Sequence, residues 1–298
     1  MVRRIPKHLV RKGMFVESVE CPDAEFSSRR FLVQSDETVR AILATSAVYA
    51  LVNPQKSTVE IDTSTPAARQ SEERKRTAET VAAATSTLRG SFEAVRFGQL
   101  QVETLAPVAD EISDRIDASP DVFLKVTRLK TKDEGTYVHS LAVSALMMRL
   151  ARSLGHGDDA VRELGVAGLL HDVGKLMVPN AILNKSGGLE ADERRLMRSH
   201  PEVGYRLLQE QGSLSDLVLD ICRHHHEMLD GSGYPLGLKA EQISPEIRLS
   251  TVCDVFEALT SARPYKRAWS TRDALNWMFD RGHMFDKKLV IRLGGIFA

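Results

Sequence analysis

From about Ser91 onwards the apolar positions recur every three to four residues and never settle into strict alternation, the pattern of successive amphipathic helices. Leu105, Val108, Ile112 and Ile116 form one stripe, in which Pro107 is acceptable only near a helix start. His139, Val143, Leu146, Leu150 and Leu154 form another that runs to Gly155, and further helices are predicted over residues 160–170, 191–199, 201–211, 214–228 and 250–261. The first sixty or so residues differ. Phe31-Leu32-Val33 and residues 48–52 are strand-like, the second run stopping at Asn53-Pro54, and between them Ser35 is placed to cap a helix through Val39, Ile42 and Leu43. Residues 55–69 are polar and rich in Ser and Thr, which marks a boundary, and Glu72-Glu73-Arg74-Lys75-Arg76 predicts a charged, solvated connecting helix. The expected organisation is a small α+β domain over residues 1–65, a helical linker over 66–106 and an all-α domain over 107–298.

The length of 298 residues suits two domains, and 43% hydrophobic with 27% charged residues is ordinary for a globular chain. Forty Lys+Arg against forty Asp+Glu give no net charge, which argues against long nucleic acid as the ligand. Cys21, Cys222 and Cys253 form no C-x-x-C pair, so neither a disulfide framework nor a thiolate zinc site is indicated. No apolar run approaches the ~18 residues of a membrane span, and no apolar segment follows the basic start as in a signal peptide. The expected location is the cytoplasm.

Seven of the nine histidines lie between His139 and His226. His171-Asp172 ends the apolar run Val166-Ala167-Gly168-Leu169-Leu170, where an unpaired charge would cost several kcal/mol. A divalent cation compensates such a carboxylate directly, and imidazole with carboxylate suits Fe, Mn, Zn or Ni better than Mg or Ca. His139 lies on the apolar face of its helix. His200 precedes Pro201, which biases it toward an extended conformation at a helix start. His225 and His226 sit ~100° apart around a helix and can share a metal only where the helix ends, and Gly231-Ser232-Gly233 allows such an end. Any one buried histidine is most simply a hydrogen-bonded core residue, and Asp254 alone is explained as a helix cap. Five histidines and two aspartates on separate helices are satisfied together by a two-metal cluster.

Through His139-Ser140, His171-Asp172-Val173-Gly174-Lys175, His200-Pro201, His225-His226-Glu227 with Asp230 to Pro235, and Asp254 with Ala258-Leu259-Thr260 to Arg263-Pro264-Tyr265-Lys266, the chain resembles the HD-GYP family, a branch of the HD phosphohydrolases. The match spans about residues 115 to 285. It implies an all-α catalytic domain, an HD-type helical bundle, preceded here by the small α+β N-terminal domain, and hydrolysis of cyclic di-GMP to linear pGpG and on to GMP. It further implies two divalent transition-metal ions, Fe or Mn first, then Ni or Zn. One is expected on His139, His171, Asp172 and Asp254, the other on His200, His225 and His226, with Asp172 bridging. The chemistry that fits is two-metal hydrolysis by a bridging hydroxide, without a covalent nucleophile. Lys175, one turn after Asp172, is the candidate for the scissile phosphate, and a solvated lysine is its bland alternative. The resemblance assigns Arg263 and Lys266 to phosphate contacts and Tyr234 with Pro235 to the pocket wall, Gly231 and Gly233 permitting the turn there.

Two departures from the family pattern matter. The third-metal Glu of some relatives falls here on Gly135, with Glu134 and Asp133 too early, so a binuclear site is expected. Glu257 replaces a common Asp, is not among the expected ligands and is read as tolerated; His224 is read as an extra residue on the surface or beside the ligands. Gly13-Met14-Phe15-Val16 and Phe31-Leu32-Val33 resemble the N-terminal domain of uncertain function in a subset of the family, for which sensing, partner binding and homodimer formation stay open. A diguanylate cyclase (GGDEF) partner is an option at the level of the family. The end at Ala298, earlier than in many relatives, is expected to cost the last helix some stability. A non-catalytic cyclic-dinucleotide sensor and a hydrolase of another cyclic dinucleotide are the alternatives.

Overall fold

The computed structural model describes residues 2–61, 66–128, 134–262 and 268–297, and the chain divides into two compact units, Met1–Ser71 and Glu72–Ala298. In the first unit β1 (Arg3–Pro6), β2 (Phe15–Val19), β3 (Phe31–Leu32) and β4 (Tyr49–Val52) form an antiparallel sheet in the order β1-β4-β2-β3. The pairing sets Ile5 opposite Ala50 and Val16 opposite Val52, so alternate side chains share one buried face. Ile42 of α1 (Asp36–Ala44) closes that core, and Ser35 caps the helix by accepting from the Thr38 N–H, as the sequence predicts. β1 and β2 had no predicted counterpart.

The second unit is helical. The long helix α2 (Pro66–Val95) departs from the solvated connector expected: only its first turns carry the charge run. From Thr77 onward it buries Val81, Ala84, Leu88 and Phe92 in the helical core. Its other faces are polar, which masks the three-to-four spacing of these four residues. α3 (Leu105–Ala118) and α4 (Pro120–Thr127) follow. α5 (Gly135–Ser153) packs along α6 (Asp158–Leu170), and the Ser144 hydroxyl donates to the Gly165 carbonyl at 2.7 Å between them.

A 3-10 helix, Val173–Met177, leads to α7 (Asn180–Leu183) and α8 (Ala191–Met197). α9 (His200–Gln209) packs against that 3-10 helix, and α10 (Asp216–His224) packs on both α6 and α9. α11 (Pro245–Thr260) lies against α5 and starts with Ser244 accepting from the Ile247 N–H and Pro245 in its first turn. α12 (Thr271–Phe279) and α13 (Lys287–Gly294) complete the unit; these two and α4 are eight or nine residues long and had no predicted counterpart. No helix among the described residues is long and apolar enough to cross a membrane.

Two predicted boundaries move. His200 is the first helical residue of α9, not an extended residue before it. Pro201 then occupies a first-turn position whose N–H needs no partner, and His200 is tied back by its ring N–H to the Met197 carbonyl at 2.7 Å. α10 stops at His224, where the His225 ring N–H bonds the carbonyls of Ile221 (3.1 Å) and Cys222 (2.9 Å) and closes the last turn.

Gly174 sets the approach of α9. A β-carbon there would collide with the His200 carbonyl oxygen and lie 2.6 Å from the Gly204 nitrogen, both backbone atoms. Gly174→Ala is expected to lower stability by about 1–3 kcal/mol and to push His200 away from Asp172, measured as a lower urea midpoint with an unchanged denaturant slope.

Candidate metal centre

Five segments deliver seven side chains to one place. α5 supplies His139, the end of α6 and the turn after it His171 and Asp172, the start of α9 His200, the end of α10 His225 and His226, and the middle of α11 Asp254. They form two adjoining groups, Asp172 with His200, His225 and His226, and His139 with His171 and Asp254; within each group the donor atoms lie within 4.8 Å of one another. All are buried except the His226 side chain, which keeps 19% exposure.

The ring protons are committed away from the centre. His171 Nδ1 donates to the Gly168 carbonyl (2.8 Å), His200 Nδ1 to Met197, His225 Nδ1 to Cys222, and His139 Nδ1 to Glu257 Oε2. These four bonds leave the Nε2 atoms of the rings facing the centre. His200 Nε2 and His225 Nε2 face each other at 3.3 Å. Asp172 divides its oxygens: Oδ2 lies 3.5 Å from both His139 Nε2 and His171 Nε2, whereas Oδ1 lies 3.2 Å from His200 Nε2 and 3.8 Å from His225 Nε2. Asp254 Oδ1 is 3.0 Å from His139 Nε2, and its Oδ2 is 3.5 Å from His226 Nδ1.

These atoms fit a cation. Asp172 Oδ1 and His171 Nε2 are wholly enclosed and have no hydrogen-bond partner, a costly state for a carboxylate oxygen and an imidazole nitrogen unless a positive charge lies between them. Nitrogen and carboxylate oxygen donors on rigid helices are a set for divalent transition metals. Cys222 and Cys253 take no part, since burial pushes both thiol pKa values up and keeps them protonated.

The charges oppose one another strongly. Burial alone would raise the Asp172 pKa; the Lys175 ammonium, then His171 and His200, outweigh it and hold the carboxyl well below the usual range. For Asp254 burial likewise acts upward, and its bond to His139 and the neighbouring imidazoles bring it well below that range. Burial, reinforced by the surrounding imidazoles, depresses His225, and burial depresses His171 against the pull of Asp172. His226 is pushed down to about 3, chiefly by burial. In His139 burial acts downward, yet Glu257 and Asp254 raise the net value.

Around the cluster, Lys175 Nζ lies 2.5 Å from Asp172 Oδ2 with its side chain 17% exposed, so it is held at the site rather than solvated. Tyr234 stacks on His226, ring centroids 4.6 Å apart. Arg263 and Lys266 lie outside the described residues. His224 is buried within α10, not on the surface, because that helix turns it into the core.

Two carboxylates to which sequence reasoning gave no role support the site. Glu257, read as merely tolerated, is buried against His139 and accepts from Ser261 Oγ at 2.5 Å. Its spacing of three from Asp254 on one helix was the available signal. Glu227 takes the backbone N–H groups of Leu236 (2.7 Å), Gly237 (3.2 Å) and Leu238 (2.9 Å), which folds the loop after α10 back over the site. Gly231 takes positive φ in that loop, whereas Gly233 is needed for close approach, a β-carbon there lying 2.5 Å from Glu227 Cα.

Comparison with known proteins places this geometry among relatives. The family model described as HD domain matches residues 112–289, and that of a domain of unknown function, DUF3391, matches residues 2–112. A cyclic di-GMP phosphodiesterase of Pseudomonas aeruginosa is 38% identical over 97% of this chain and 75% of its own length. A cyclic di-GMP phosphodiesterase response regulator of Xanthomonas campestris is 37% identical over 68% of this chain, which spans 54% of that protein. A 3'3'-cGAMP-specific phosphodiesterase of Vibrio cholerae is 35% identical over 60% of this chain, which spans 38% of it. Among solved structures, an HDG"Y"P protein from Bdellovibrio bacteriovorus shares the fold with a TM-score of 0.59 at 15% identity, over 100% of this chain and 99% of that one.

The lowered imidazoles set a pH dependence for the metal-free chain. Below about pH 6.5 the unfolded chain protonates its histidines, while folded His171, His224, His225 and His226 resist, so the unfolded state binds more protons and stability falls as pH falls. For His226 the fall extends from pH 6.5 to about 3. His139, with its raised value, acts oppositely: its contribution is full below about pH 6.5 and is lost as pH rises through its folded value. With four lowered groups against one raised, the urea midpoint of chelator-treated protein is expected to drop between pH 7.5 and 5.5, and His226→Asn to make that drop smaller.

Proposed function

The chain belongs to the HD-domain family, and from that premise we propose that it is a metal-dependent phosphodiesterase hydrolysing cyclic di-GMP to linear pGpG, with GMP as a further product. The observation that carries the reading is Asp172, a fully buried carboxylate with one oxygen toward each group of imidazoles. His139, His171 and Asp254 would hold one ion, His200, His225 and His226 a second, with Asp172 shared. Iron or manganese is the metal proposed, both accepting this donor set. Such ions, when bound, supply the Lewis acidity that makes water nucleophilic at neutral pH and positive charge for the phosphoryl oxygens.

The chain's own residues do the rest. The Nδ1–H bonds of His139, His171, His200 and His225 fix four rings with their lone pairs inward, so little reorganisation remains for the reaction. Lys175, at the partly exposed edge of the site, meets the scissile phosphate and stabilises the departing sugar oxygen. Tyr234 and the loop held by Glu227 wall the pocket. Arg263 and Lys266 take the other phosphate, on the strength of their place in the family motif. No side-chain nucleophile is required.

The name of the Vibrio cholerae relative supports a second reading, in which a different cyclic dinucleotide is preferred. Incubating iron- or manganese-loaded protein anaerobically with cyclic di-GMP and 3'3'-cGAMP in competition is expected to yield linear product from the first. Tight binding without product would overturn the enzyme reading in favour of a sensor.

Asp172→Ala is expected to lose both ions in metal analysis of anaerobically purified protein; full metal content would refute the shared role. Glu257→Gln is expected to weaken metal binding about 10–100-fold with the fold intact by circular dichroism. Arg263→Ala is expected to raise KM with metal content unchanged.

A further inference from the structure

Arg198 follows the last residue of α8, two positions before His200. It is exposed, and its guanidinium carbon lies 4.3 Å from the centroid of the Tyr234 ring, which in turn stacks on His226. A guanidinium resting on an aromatic face keeps its N–H donors in its own plane, where they form the fork that matches a phosphate. Among the described residues two other cations near the cluster are paired, Lys175 with Asp172 at 2.5 Å and Arg223 with Glu202 at 2.8 Å. Among the described residues Arg198 has no carboxylate partner, and the ring contact is what positions it. A positive charge is thus held in place at the open edge of the cluster with its hydrogen-bonding edge unused.

We infer that Arg198 is a substrate-binding residue that takes the phosphate of the cyclic dinucleotide not undergoing hydrolysis. This rests on the cyclic-dinucleotide reading above and names one more of its contacts. Two stacking distances, 4.3 and 4.6 Å, separate the guanidinium from the His226 ring, so it serves the part of the ligand beyond the phosphorus under attack. Tyr234 acts here as a platform for Arg198, and charge on the far phosphate strengthens binding without entering the chemical step.

The test compares wild type, Arg198→Ala and Arg198→Lys, all metal-loaded, in equilibrium binding of cyclic di-GMP and in hydrolysis of cyclic di-GMP and of bis(4-nitrophenyl) phosphate, which has a single phosphate. Arg198→Ala is expected to raise Kd and KM for cyclic di-GMP about tenfold, the scale of one charge-assisted contact, with kcat, metal content and turnover of the single-phosphate ester within twofold of wild type. Arg198→Lys, which keeps the charge and loses the fork, should fall between. An unchanged Kd and KM would overturn the inference, as would an equal loss on both substrates, which would place the effect at the cluster. Wild-type binding without hydrolysis would refute the enzymatic reading and leave the Kd comparison decisive for Arg198. Wild type that hydrolyses the ester but does not bind cyclic di-GMP would overturn both.

Discussion

A carboxylate at zero exposure, at the end of an apolar helix, is the constraint from which the helical unit is organised. Asp172 cannot be solvated, so the elements around it bring compensation: Lys175 along the chain, imidazoles from α5, α9 and the end of α10 across space. His139, His200 and His225 are each anchored by the other ring nitrogen to a carbonyl or to Glu257. The close packing of Gly174 against α9 and the early end of α10 at His224 serve this requirement. Cluster and fold are in this sense one structure.

The buried charges also explain why the imidazoles are grouped and not dispersed. Neighbouring imidazoles disfavour one another's protonation, as at His225. Carboxylates do the reverse at His139, where Glu257 and Asp254 act together. Ionised Asp172 and Asp254 and the depressed imidazoles of His171, His225 and His226 coexist in one enclosed volume, a protonation pattern that divalent ions select.

Much of this was legible in the chain. The run before His171-Asp172, the helical stripe carrying His139 and the paired His225 and His226 gave residues whose convergence needs no assumption beyond burial. The family resemblance then supplied the grouping. What stayed hidden is what depends on tertiary contact. Glu257 reads as merely tolerated because its partner lies on another helix, and Glu227 carries no role because its partners are backbone amides that no side-chain pattern reports. The core half of α2 was obscured by polar residues on its other faces. His200 shows the limit of a local rule: a preference of the residue before proline yields where a first-turn position and a ring anchor favour the helix.

The loop over the site is held by one carboxylate reaching three successive main-chain amides. Main-chain bonds do not register side-chain identity at the positions that make them. Leu236, for example, is bonded through its amide while its side chain is 54% exposed. Substitution there can reshape the pocket rim while the loop keeps its path and the cluster its geometry. The division of labour separates what holds the loop in place from what faces the ligand.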